Sequence, residues 1–296
     1  MNLAENPETL DWPGPIALWG STGQLGRELQ LRLGPNLVPL TRADADLTDA
    51  HAVAAVLHRL RPSLVVNCAA YNFVDQAESE PQAAFAVNAL APRTLARLAR
   101  ELGFFLVHLS TDYVFGLDAN RCHPYVENDP PGPLSVYGAS KLAGEYFVRS
   151  LAPRHLVVRT CGLYGHIGGG KGRNFVQTML RLAHQGQPIS VVADQVLTPS
   201  YAADVADAIV ALIRSGACGL RHVTNEGWCS WFQFAQAIFE LAGLRVELTP
   251  ITSAKYGAAA LRPAYSVLVS QFPDTPRLPP WRDALTRYLR CLDAAG

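Results

Sequence analysis

The chain has 296 residues, 49% of them hydrophobic and only 17% charged, a balance that supports a large buried core and excludes a disordered chain. Lysine plus arginine matches aspartate plus glutamate at 25 each, so no global basic field exists to attract nucleic acid or an anionic membrane. The N-terminal MNLAENPETLDWPGP lacks the apolar core of a signal peptide, and no apolar run approaches the ~18 residues of a membrane span. Six scattered cysteines (Cys68, Cys122, Cys161, Cys218, Cys229, Cys291) form no C-x-x-C pair, so they read as reduced thiols of a cytoplasmic protein and not as a zinc site.

In chain order, residues 1–14 read as an N-terminal extension ending in turn signals at Pro13-Gly14-Pro15. Ile16–Trp19 is a short apolar strand, followed by a helical pattern from about Gln24 to Leu33. Leu37–Leu40 is a second strand. Thr48 to Arg61 is helical, with Thr48 or Asp49 placed to cap it. Leu64–Asn67 is a third strand, apolar throughout as a strand covered on both faces should be. Pro81 to Leu102 predicts one long helix, Phe104–Leu109 a strand, Val136–Leu151 a helix and Leu156–Val158 a fifth strand. Such alternation implies an α/β fold with a parallel sheet and right-handed crossovers. After Thr160 the regularity loosens. Helices are expected at Asn174–His184, Tyr201–Ser215, Ser230–Leu241 and from about Trp281, with a strand at Leu220–Val223. Residues 15–162 therefore read as the main sheet domain, completed by about 200–224. Residues 163–296 read mainly as a smaller lobe, with crossings back to the sheet.

Gly20, Thr22, Gly23, Gln24, Leu25 and Gly26 belong to a G-x-x-G-x-x-G loop between the first strand and the first helix. Glycine tolerates the unusual φ of a tight turn and lets a pyrophosphate approach the backbone. The helix N-terminus then offers free N–H groups to the anion. The glycine triplet alone is weak; its place between strand and helix carries the argument. The second strand runs into Thr41-Arg42, where sites preferring NAD often carry an acid. Arg42 suits the 2′-phosphate of NADP. Asp46 and Leu47 lie just beyond, placed to border the adenine. A second glycine run, Gly165 to Lys171, fits G-x-x-x-x-G-K but continues with Gly172 where a nucleotide triphosphatase needs Ser or Thr, so it is set aside.

Thr111 and Asp112 stand at the carboxyl end of the fourth strand, the edge at which open parallel sheets bind ligands. Tyr137 and Lys141 are four apart on a helix and share a face. Tyrosine with its ordinary pKa of ~10 is a poor acid or base at neutrality. A lysine ammonium nearby is expected to lower it, and the Thr111 hydroxyl to bind the same substrate oxygen.

The set GSTGQLG, NCAAYNFVDQAESEP, STDYVF, YGASKLAGE, RTCGLYG, NFVQTMLRLA, DQVLTPSYAADVADAI and RPAYS resembles the extended short-chain dehydrogenase/reductases, and more narrowly the dTDP-4-dehydrorhamnose reductase family. The resemblance runs from about Ile16 to the final helix. It implies a Rossmann-type doubly wound sheet with a smaller substrate lobe, and reduction of dTDP-4-dehydro-L-rhamnose by NADPH or NADH. It assigns Tyr137 as proton donor, Lys141 as the lysine on the nicotinamide ribose, and Thr111 as the hydroxyl beside them. Thr111, Asp112, Asn174, Thr198 and Arg262 become substrate contacts. Gly23, Gln24, Leu25, Asp46, Leu47, Cys68, Ala69 and Ala70 become cofactor contacts. A homodimer is also implied, with Mg2+ in some relatives, though no ligand for it maps onto this chain.

Two departures stand out. Gly162 replaces an aromatic residue of the family, and the glycine-rich HIGGGKGR segment is long, which suggests that Lys171 and Arg173 close over the substrate diphosphate. Related dehydratases carry T-D-E at the strand end, whereas this chain has Thr111-Asp112-Tyr113, which argues for plain keto reduction over dehydration or epimerisation. A regulatory subunit of methionine adenosyltransferase shares the resemblance without catalysis; Tyr137, Lys141 and Thr111 favour an enzyme.

Overall fold

The computed structural model describes residues 9–166 and 174–295, so the expected diphosphate closure by Lys171 and Arg173 lies outside the described residues. The chain opens with β1 (Ile16–Trp19), α1 (Gln24–Gln30), β2 (Leu37–Leu40), α2 (Ala50–Leu60) and β3 (Leu64–Asn67). Then α3 (Val74–Ala77), α4 (Pro81–Phe85), a π turn (Ala86–Leu90) and α5 (Ala91–Leu102) lead to β4 (Phe105–Thr111). A 3₁₀ turn (Asp112–Val114), α6 (Val136–Leu151) and β5 (His155–Thr160) follow. The remainder is β6 (Leu163–Tyr164), α7 (Phe175–His184), β7 (Ile189–Val192), β8 (Val196–Leu197), β9 (Ser200–Tyr201), α8 (Ala202–Arg214) and β10 (Gly219–His222). It ends with β11 (Cys229–Ser230), α9 (Trp231–Leu241), β12 (Leu248–Ile251), α10 (Ser253–Tyr256) and α11 (Trp281–Ala295).

Six strands form one all-parallel sheet in the order β10-β5-β4-β3-β1-β2. β1 and β3 are buried along their whole length because helices cover both faces. Leu25, Leu29, Val205 and Ile209 of α1 and α8 pack one face; Val53, Leu57, Leu95 and Ala99 of α2 and α5 pack the other. The strand order reverses between β1 and β3, and the carboxyl ends there open a crevice. The later chain builds a second core of Val176, Met179, Phe234, Ile238, Leu285 and Tyr288 around α7, α9 and α11. It returns to the sheet twice, with α8 packed on α1 and β10 as the edge strand.

The single helix expected over Pro81–Leu102 is broken by the π turn. Pro92 has no N–H for the carbonyl of Asn88, so the α-helical ladder lapses there. That carbonyl instead faces Gly144 of α6, where a Cβ would sit 2.1 Å from it. The first helix also stops three residues before Leu33. Of the two expected caps for α2, Asp49 serves, accepting from the backbone N–H groups of His51 and Ala52. Among the described residues no helix is long and apolar enough to cross a membrane.

Candidate active site

The loop after β1 is shaped by missing side chains. Gly20 has φ +75°, and a Cβ on it would lie 2.6 Å from the Ala69 nitrogen. A Cβ on Gly26 would lie 2.1 Å from the Gly20 carbonyl oxygen. Gly23 caps α1 with no side-chain bond, so the first N–H groups of the helix remain free to bind. This loop forms one wall of a cavity of about 660 Å³. Gly20, Thr22, Gly23, Gln24, Leu25, Gly26, Arg42, Cys68, Ala69 and Ala70 line that wall. Thr111, Asp112, Tyr137 and Lys141 stand at its centre, and Asn174, Trp231 and Ser266 lie on the far side.

Ser135 caps α6, accepting from Gly138 N, and so fixes the start of the helix that carries Tyr137 and Lys141. Lys141 is buried, and its Nζ donates to the Leu109 carbonyl at 2.6 Å. Burial lowers its pKa to about 8, against the opposing pull of Glu145 and Cys68. Burial pushes the Tyr137 phenol up to about 12; its hydrogen bond with Thr111 opposes that shift and the Asp112 charge adds to it. The expected lowering by lysine is therefore absent, because desolvation dominates and the ammonium is turned to Leu109. Tyr137 is half-buried, with its ring edge-on to Tyr113 at 5.9 Å between centroids. The Thr111 hydroxyl donates to Asp112 at 3.1 Å and accepts from Tyr113 N at 3.2 Å.

Asp112 is buried and accepts from the Cys161 thiol at 3.0 Å. Burial raises its pKa, against hydrogen bonds from Ser266, Cys161 and Thr111. Asn174 caps α7 and ties three parts of the wall together, donating to Gln24 Oε1 at 3.1 Å, the Gly165 carbonyl at 2.7 Å and the Tyr288 hydroxyl at 3.0 Å. Gly162 is left-handed at φ +53°, and a Cβ there would lie 3.2 Å from the Thr198 carbonyl oxygen, so the aromatic residue expected from the resemblance would be strained on this backbone. Arg42 projects into solvent at the cavity rim, 3.6 Å from Asp46.

Five expected contacts do not line the cavity. The Thr41 hydroxyl donates to Asp44, and Asp46 accepts from Thr48. Leu47 is in the core beneath α2. Thr198 is buried, with its carbonyl against Gly162. Arg262 is clamped to Asp75 by two hydrogen bonds of 3.0 and 2.7 Å. Conversely, sequence reading assigned no role to Phe73, Gln195, Trp231 or Ser266, all of which line the cavity. Phe73 and Gln195 lie within the motifs YNFVDQ and DQVLTP, and Ser266 closes the motif RPAYS; Trp231 had no signal of its own.

The model of the RmlD substrate binding domain matches residues 15–293. The chain is 41% identical to a dTDP-4-dehydrorhamnose reductase of Streptomyces griseus, over 95% of each chain. It is 40% identical to a dTDP-4-keto-6-deoxy-D-glucose reductase of Streptomyces niveus, over 93% of this chain and 96% of that one. Its structure superposes on a Bacillus anthracis dTDP-4-dehydrorhamnose reductase solved with NADP at a TM-score of 0.89 and 39% identity, covering 94% of this chain and 99% of the other. With near-complete coverage at this identity, the chain belongs to the dTDP-4-dehydrorhamnose reductase family.

Proposed function

We propose that this protein uses NADPH to reduce the C4 keto group of a dTDP-linked 6-deoxy-sugar, with dTDP-4-dehydro-L-rhamnose as substrate. The observation that carries the reading is the Tyr137 phenol hydrogen-bonded to the strand-end Thr111 hydroxyl, in the cavity that the glycine loop walls. Tyr137, ordinarily protonated at neutral pH and pushed further up by burial, is in the form that a donor to an emerging alkoxide must have. The residues fit a dinucleotide: Gly20 and Gly26 leave a cradle that a Cβ would fill. Gly23, Gln24 and Leu25 would hold its pyrophosphate, Arg42 its 2′-phosphate and Lys141 its nicotinamide ribose. When bound, it supplies the hydride.

Tyr137 gives its proton to the sugar O4. Thr111 orients that oxygen and, by its hydrogen bond to Tyr137, favours the phenolate that remains. Asp112 is the one carboxylate among the described residues that line the cavity, and it is occupied by Cys161, Ser266 and Thr111. Tyr113 stands where a dehydratase carries its base, which supports reduction. All six cysteines are free, as suits a cytoplasmic location.

The test is loss of reduced-nicotinamide absorbance with dTDP-4-dehydro-L-rhamnose, using NADPH and NADH side by side. The expected outcome is turnover with both and a lower KM for NADPH. Absence of oxidation with either cofactor overturns the reading.

A further inference from the structure

Glu145 follows Lys141 by one turn of α6 and is completely buried. Its Oε1 accepts from Ser110 Oγ at 2.5 Å and from Arg159 Nε at 2.8 Å, and its Oε2 accepts from Arg159 Nη2 at 2.6 Å. Ser110 and Arg159 are partners across the β4–β5 ladder, and the next rung is Thr111 and Thr160, which both line the cavity. A carboxylate that grips both members of one rung fixes the rung beyond it. Ser110 also stands between Leu109, whose carbonyl holds Lys141, and Thr111, beside Tyr137. Arg159 is anchored in turn: its Nη1 lies 3.3 Å from Nε2 of His222, its partner on β10. His222 Nδ1 lies 3.2 and 3.1 Å from the carbonyls of Tyr125 and Val269, so the ring donates there and accepts from Arg159.

We propose that Glu145 is a positioning residue for the reaction, its carboxylate setting Lys141 and Thr111 in register. The proposal rests on the reading of Tyr137 and Lys141 as the reductive pair. The groups around Lys141 are Tyr137 and Glu145 on α6, His108 and the Leu109 carbonyl on β4, Cys68 after β3, and Arg159 on β5 behind Glu145. Burial and the lysine hold His108 neutral, and burial raises the Cys68 thiol to about 12. Glu145 is the group that most opposes the desolvation of Lys141.

The chain contains three lysines, Lys141, Lys171 and Lys255, so ε-13C-lysine NMR gives a spectrum in which the Lys141 signal is assigned by its loss in Lys141→Arg. In Glu145→Gln the Lys141 midpoint is expected to fall by about one pH unit or more. The alkaline limb of kcat/KM should move down with it, while Glu145→Asp keeps the limb in place. If an unpaired Arg159 prevents Glu145→Gln from folding, the double variant Glu145→Gln/Arg159→Met is read against Arg159→Met alone, so that only the carboxylate differs. An unchanged midpoint and limb, with turnover reduced only in proportion to the folded fraction, overturns the proposal. A shifted midpoint in a wild-type background that shows no reductase turnover leaves the coupling standing and overturns the reductase reading.

Discussion

On the glycine-loop wall of the cavity, shape comes from what is absent. Gly20, Gly23 and Gly26 lie within seven residues, and two of them leave no room for a Cβ. The opposite wall is made by side chains that hold one another across long stretches of chain. Asn174 reaches back to Gln24, and Asp112 is held by Cys161 and Ser266. The first construction suits a ligand read through its phosphates by backbone N–H groups. The second suits one whose hydroxyls must be told apart, because a buried polar group left without a partner is expensive. The two walls meet at Tyr137, and variants on either side should fail in different ways.

The largest effect is expected at that junction. Tyr137→Phe removes the donated proton and keeps the ring that packs on Tyr113. Turnover should fall by about 10²–10⁴-fold, with the Kd for NADPH changed little. Steady-state rates and a cofactor fluorescence titration measure the two separately. Near-normal turnover would remove Tyr137 from the mechanism.

Next comes the glycine wall. Gly26→Ala places a Cβ 2.1 Å from the Gly20 carbonyl, and since that atom is backbone, the loop must move. Strain of about 1–3 kcal/mol corresponds to a Kd for NADPH raised roughly five- to 140-fold. The KM for the sugar nucleotide, measured at saturating cofactor, should stay within about twofold. A substrate KM that rises as steeply as the cofactor Kd would show that the walls are not separable.

The same contrast explains what the sequence made legible. The glycine wall is local, so its spacing and its place between β1 and α1 could be read directly. Tyr137 and Lys141 share a helix face, and four-residue spacing announces that. The parallel sheet followed from strand–helix alternation. The far wall depends on approaches such as Trp231 to Phe175 and Ser266 to Cys161, which no local pattern encodes. Arg262 was expected on substrate from its place in the RPAYS motif; its partner Asp75 stands 187 residues away. The π turn was missed because Pro81–Leu102 reads as one helix straight through Pro92, whose missing N–H breaks the ladder. The direction of the Tyr137 shift was missed because burial, unlike spacing, is a property of the assembled cavity.

The smallest effect is expected where the walls are tied. Asp75 on α3 accepts from both terminal nitrogens of Arg262 and from the Ala260 backbone N–H at 3.0 Å. Val74 and Pro263, the neighbours of the two side chains, line the cavity, so the pair braces both walls from behind. Asp75 is about half exposed and the pair is solvent-screened, so Asp75→Asn should lower stability by no more than about 1 kcal/mol. The KM for the sugar nucleotide should then rise by roughly fivefold or less, with kcat unchanged. Arg262→Ala separates bracing from direct contact. If Arg262 only braces, both single variants and the double variant share one KM. If Arg262 also leaves Asp75 to reach the substrate diphosphate, Arg262→Ala raises KM well beyond Asp75→Asn, and the double variant follows the arginine. A double-mutant cycle on KM, with the cofactor Kd as control, decides between them.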